Sequence, residues 1–154
     1  KLYCSLEHLR FADKFNYLIE IDETLPLDQF MVPAMLLQPH VENAIRHGLI
    51  PSNKDNNFLK ISVKGLNDSI VCEINDNGIG RAKSVEIKSR KSSDHRSMGN
   101  KISKERLEMI RALKLGNISE VITDLVDDSD QPMGTKVVIT INQSPKHINK
   151  SVSI

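Results

Sequence analysis

Residues 75–80, Asn-Asp-Asn-Gly-Ile-Gly, close a run in which Ile70, Cys72 and Ile74 alternate with other residues. A two-residue period marks a strand with one buried face, so the stretch reads as a strand that ends in a turn. Asn-Gly is a strong turn signal, and a tight turn is the plainest account of Asn77-Gly78. More elaborate accounts fail on the residues present. A calcium loop needs oxygen ligands at alternate positions, and Ile79 stands at one of them. The dinucleotide fingerprint needs a third glycine where Lys83 stands, and no Walker A motif occurs in the chain. What remains is the Asp76 carboxylate at a strand end, followed by Gly78 and Gly80, which have no side chain to keep a flat ligand from the backbone.

Working upstream, Leu59, Ile61 and Val63 form a matching alternation, and the turn at 65–69 with Asn67 and Asp68 makes the two runs a hairpin. Phe15, Tyr17, Ile19 and Ile21 predict a further strand, and Leu2, Leu6 and Leu9 a leading helix. Between that strand and the hairpin lies a helix over 33–49, with Pro33 in its first turn and Gly48 and Pro51 near its end. Pro39 falls inside that stretch and predicts a kink or a fresh start. Downstream, residues 81–98 are rich in Lys, Arg and Ser, lack apolar periodicity, and read as a functional loop or a disordered linker. Ile102, Met109, Ile110 and Leu113 predict a helix over 99–115, with Arg106 a buried ion-pair partner on it. Residues 118–126 and 135–141 are strands, and 143–154 read as a loose tail.

The composition bounds the function. The chain has 154 residues, 27% of them charged, and a net charge of +1, so it is one domain with no global field for nucleic acid or a membrane surface. No apolar run approaches the ~20 residues that span a bilayer, and no signal peptide is visible. Cys4 and Cys72 in a chain of this length read as reduced thiols. Lys1 opens the sequence inside a predicted helix, which is expected of a segment of a longer protein.

Glu42, Asn43, Arg46 and His47 share one arc of the 33–49 helix, with Glu42 above Arg46 and Asn43 above His47 at i,i+4. A solvated polar face accounts for such an arc, while an Asn amid charges also suits Mg²⁺, a hard cation that takes oxygen ligands and bridges to phosphates. Met98-Gly99 at a helix start, beside a basic segment, could meet an anion.

LLQPHVENAIRHG, then DNGIG, then SMG before a helix with the KERL run, then GTKVVI resemble, in that order, the ATP-binding domain of the GHKL superfamily. More narrowly, the chain resembles the catalytic domain of LytS-like sensor histidine kinases from about residue 10 to residue 141. The resemblance implies an α/β (α+β) sandwich of the Bergerat type, a mixed, mostly antiparallel sheet packed against three helices. It implies a joining helix at 1–14, an ATP-binding catalytic domain at 15–142 with its lid at 81–98, and a tail at 143–154. Asn43 would hold Mg²⁺, His47 and Arg46 would lie near the phosphates, and Asp76 would accept from the adenine amine. Gly78 and Gly80 would let the backbone pass the base, Gly99 would hinge the lid, and Thr135 would lie near the adenine. Glu42 would act as the base toward the acceptor imidazole.

The implied activity is transfer of the ATP γ-phosphate to a His on a dimerisation domain outside these residues. The implied setting is a homodimeric, membrane-anchored parent with this domain in the cytoplasm, a DNA-binding response regulator as partner, and no direct contact with nucleic acid. Pro39 stands where many related kinases carry Asn, Asp or Glu, and Gly99 alone represents the glycine-rich segment. A module that holds nucleotide without transferring phosphate is the alternative. A gyrase- or chaperone-type clamp shares only the nucleotide motifs. The acceptor His of the family lies upstream of this domain, and His8, in SLEHLRFADKF, falls in what resembles the joining segment.

Overall fold

The computed structural model describes residues 1–11, 14–25, 36–66, 69–91 and 117–142. Its alternating runs become β1 (Asn16–Ile21), β2 (Phe58–Leu66), β3 (Ser69–Asp76), β4 (Asn117–Val126) and β5 (Pro132–Asn142). They form one sheet in the order β1-β2-β3-β5-β4, with β1 parallel to β2 and every other pairing antiparallel. The expected hairpin joins β2 to β3, with Leu66 opposite Ser69.

Because cross-strand partners point to the same side, the register sorts the sheet into rows. Leu59, Asp76, Thr135 and Asp124 make one row, and Ile61, Ile74, Val137 and Ile122 the next. Val63, Cys72, Ile139 and Glu120 make a third. These rows face the core, where Ile74, Cys72, Ile139 and Ile141 are fully or almost fully buried. The opposite face carries polar pairs such as Lys136 Nζ to Glu73 Oε2 at 2.9 Å. Both cysteines are buried and unbridged, as their number led one to expect.

One helical segment lies across the core rows. It starts as α2 (Gln38–Asn43) and continues as a π-helix over Ala44–Leu49. Pro39 stands in its first turn, where a missing N–H removes no intrahelical bond, so the proline marks a start. Val41, Ala44, Ile45 and Leu49 bury their side chains in the core cluster. Leading into the sheet, α1 (Leu2–Arg10) turns its leucine arc outward. Leu2, Leu6 and Leu9 are 74, 56 and 77% exposed, while Cys4 and Glu7 are buried.

The reading of 81–98 as structureless is corrected for its first part, because α3 runs over Gly80–Lys91. Ala, Lys, Arg and Glu supply good helix propensity, and a helix that is polar nearly all round shows no apolar period for sequence reasoning to detect. Residues 92–98, the helix expected over 99–115 and the tail lie outside the described residues, as do Gly99 and Arg106. No helix among the described residues is long and apolar enough to cross a membrane.

β5 begins three residues before the expected strand, and its third residue explains why. Gly134 has φ +136° beside a bulge between Leu125 and Val126, and a Cβ there would collide with the Asp76 carbonyl oxygen. Gly134→Ala is therefore expected to combine backbone strain with a clash between β5 and β3 and to cost roughly 3 kcal/mol. Urea unfolding of the variant measures it, and a midpoint equal to that of the unaltered chain would refute this packing account.

Candidate functional site

The Asp76 row ends where the helical segment meets the sheet. There the side chain of Asp76, 3% exposed, lies against Gly48, and a Cβ on Gly48 would come within 2.9 Å of its Oδ1. Gly78 packs still closer, and a Cβ on it would collide with the Gly48 backbone. The π-helical pattern makes this docking possible. Ile50 N–H donates to Ile45 O and Ser52 N–H to Leu49 O, while the Gly48 carbonyl accepts from Ile79 N–H at 3.1 Å. The turn after β3 is thus hydrogen-bonded to the helix above it. Asn77 secures the same turn from below: its Oδ1 accepts from Phe58 N–H at 2.7 Å and its Nδ2 donates to Asn56 O at 2.8 Å. Lys54 Nζ donates to Asn77 O at 2.7 Å.

Burial dominates the Asp76 carboxylate and pushes its pKa up to about 6. Hydrogen bonds from the Gly78 N–H, at 2.9 Å to Oδ1, and from the Thr135 backbone oppose the rise, as does the charge of Lys54.

Asp76 opens onto a cavity of about 490 Å³ between the sheet, the helical segment and the start of α3. Ile74, Thr135, Val137, Ile122 and Asp124 border it from the sheet, and His40, Asn43, Ala44, His47 and Gly48 from the helix. Gly80, Arg81, Ala82, Ser84 and Val85 border it from α3. The site residues proposed from sequence therefore divide. Asn43, His47, Asp76, Gly80 and Thr135 share the cavity, whereas Gly78 is spent on the contact with Gly48, and Gly99 lies outside the described residues.

Arg46 and Glu42 are absent from the cavity lining. Arg46 Nη1 lies 3.0 Å from Glu42 Oε1, and its Nη2 lies 3.4 Å from Oε1 of the buried Glu7 on α1. Arg46, expected near phosphates, is thus engaged by two carboxylates outside the cavity lining. A buried carboxylate on α1 requires a counter-ion, and Arg46 supplies it.

Sequence reasoning missed three pairings that shape the site. Arg81 clasps Asp124 with two parallel bonds of 2.7 Å, tying the start of α3 to β4. Lys54 holds the turn. His40 Nε2 lies 3.5 Å from Glu120 Oε2, linking α2 to β4. Burial pushes the His40 imidazole below its ordinary pKa, and Glu120 partly offsets that fall. Each pairing joins residues distant in the chain, so no local pattern in the sequence identifies the partners.

No protein-family model matches the chain. It is 32% identical over 139 residues, 90% of its length, to the sensor protein LytS of Staphylococcus saprophyticus, of which it spans 22%. It is 30% identical over 107 residues, 69% of its length, to the uncharacterized Bacillus subtilis protein YwpD, of which it spans 37%. Among solved structures, the histidine kinase domain of the Erythrobacter litoralis EL346 blue-light activated histidine kinase superposes with a TM-score of 0.57 at 14% identity. That match covers 90% of this chain and 60% of the other. The chain thus spans well under half the length of these two curated relatives, and the resemblance in motifs agrees with both sequence and fold. The chain belongs to the LytS-like sensor histidine kinases and has the fold of their GHKL-type catalytic domain.

Proposed function

We propose that the cavity binds ATP and that the domain, residues 15–142, passes the γ-phosphate to a histidine on a dimerisation domain joined through 1–14. The observation that carries this reading is the buried Asp76 acceptor opening onto a cavity shared with Asn43 and His47. A carboxylate at that depth is expensive unless a donor meets it, and an exocyclic amine is such a donor. Ile74, Val137, Ile122 and Ala44 give an aromatic base apolar surface, with Thr135 beside Asp76.

The residues present fit Mg²⁺ as an ion that arrives with the triphosphate. Among the described residues no group of three or more His, Cys, Asp or Glu could hold a metal alone, while Asn43, whose amide oxygen is a hard ligand, borders the cavity. Mg²⁺ takes few protein ligands and completes its shell with phosphate oxygens and water. When bound it would neutralise charge that develops on the phosphates. His47 would lie beside the nucleotide. Arg46 would reach a phosphate only after leaving Glu7 and Glu42. Glu42, next to Asn43 and outside the cavity, would act as the base toward an imidazole that arrives from solvent. Residues 81–98 would act as the lid and Gly99 as its hinge. In the parent, a membrane-anchored homodimer, a DNA-binding response regulator would receive the phosphate. The family relationship favours this over a module that only holds nucleotide.

Asp76→Asn separates binding from folding. Calorimetric titration with Mg²⁺ and a non-hydrolysable ATP analogue is expected to show saturable binding to the unaltered chain and none to the variant. Equal affinity of the two would overturn the placement of the base. Stability should move the other way. Below the ordinary value of 3.8 Asp76 is protonated in both folded and unfolded chains; above about 6 it is ionised in both, and the burial penalty is complete. Stability contributed by the protonated group is therefore lost as pH rises through that window, by about 3 kcal/mol. Urea titrations at pH 4 and pH 7 should show Asp76→Asn gaining most of that relative to the unaltered chain, and a pH-independent difference would contradict the buried-charge account.

Glu42→Ala should keep analogue affinity and slow the appearance of acid-labile phosphate on a dimerisation domain supplied with its histidine. Undiminished transfer would remove Glu42 as the base. Binding without any acid-labile phosphate, in the unaltered protein, would leave a nucleotide-holding module.

A further inference from the structure

The two ends of the cavity differ in chemistry. At one end Gly48 abuts Asp76, whose row continues through Thr135 to Asp124. At the other, His40, two helical turns before Gly48, reaches Glu120, four residues from Asp124 along β4. By strand rise the ends stand roughly 14 Å apart. Between them the border is apolar, formed by Ala44, Ile74, Ile122 and Val137. A ligand that presents a donor amine to Asp76 and lies along this floor carries its far end past Asn43 to His40.

Among the described residues, His40 and His47 border the cavity from the helix, and His40 stands at the far end, while the nearby Lys and Arg side chains already have partners. Arg81 is bound bidentately by Asp124, Lys54 donates to the turn carbonyls, and Arg46 is held between Glu7 and Glu42. Burial opposes the doubly protonated ring, whereas Glu120 on Nε2 and an anion arriving at the cavity both favour it, and that form offers a second N–H to the anion.

We infer that His40, oriented by Glu120, determines specificity at the polyphosphate end of the cavity and recognises the charged tail of the nucleotide. The inference rests on the nucleotide reading of the same cavity. The test compares adenosine with a non-hydrolysable ATP analogue plus Mg²⁺, titrated into the unaltered chain, His40→Leu and His40→Gln, each checked for a cooperative thermal transition. His40→Leu should bind the analogue about tenfold more weakly and adenosine within twofold of the unaltered chain, since a charge-assisted bond to phosphate is lost and nothing at the base end changes. His40→Gln keeps an N–H donor and should lose less. Equal weakening toward both ligands, or none toward the analogue, would overturn the inference and leave His40–Glu120 as a tie between α2 and β4. Failure of the unaltered chain to bind either ligand would instead refute the nucleotide reading, and the inference with it.

Discussion

At the end of β3 a carboxylate lies almost wholly out of water beneath a helix backbone that touches it. Gly48 is what allows the approach, because any side chain there would meet Asp76, and Gly78 allows the turn to close against the same backbone. Ile79 N–H then completes the junction on the Gly48 carbonyl. The depth of Asp76, the position of the helix over the sheet and the width of the cavity beside them are all consequences of this one contact. A bulkier residue at 48 or 78 would lift the helix, admit water to Asp76 and widen the cavity in one movement. The Asp-x-Gly spacing is thus first a packing device, and the packing leaves Asp76 bordering the cavity.

The helical segment divides its polar residues between two environments. Asn43 and His47 border the cavity, while Glu42 and Arg46, each one residue away, join Glu7 of α1. Neighbouring positions on a helix point about 100° apart, so adjacent residues serve different partners as a matter of geometry. Reading the four residues as one arc merged these environments. The π-helical stretch adds to the separation, since each wider turn holds more residues than an α-turn and shifts those that follow.

How far the sequence could be read depended on the range of the interaction involved. The strands were legible because burial of one face forces a two-residue period, and the alternation in Leu59–Ile61–Val63 and Ile70–Cys72–Ile74 leaves little choice. The start at Pro39 and the turn at Asn77-Gly78 are local chemistry and were legible for that reason. The direction of the leucine arc on α1 was not, because periodicity shows which residues share an arc and is silent on which arc meets the core. Cys4 faces inward into the core cluster, and Glu7 faces inward toward a partner, Arg46, on another element. Asp124 and Glu120 face the site through the register of β4 on β5, and that register spans a bulge. α3 was missed because it is polar on nearly every side.

Two buried carboxylates, Glu7 and Asp76, and the largely buried His40 lie around the helical segment. Each would be replaced at little cost, or at a gain, by an apolar residue of similar volume, so stability does not explain their presence. Glu7 faces away from the cavity and holds Arg46, while one of its oxygens, Oε2, has no partner among the described residues. Asp76 and His40 border the cavity, where the proposed ligand, with a donor at one end and an anion at the other, would supply what burial removed. The destabilising groups are therefore placed in two ways. One carboxylate ties α1 to the helix that carries Asn43, and the other two groups stand where binding can compensate them. A fold that conceded the same energy at random would scatter such groups through its core; here they flank a single helix of twelve residues, six α-helical and six π-helical.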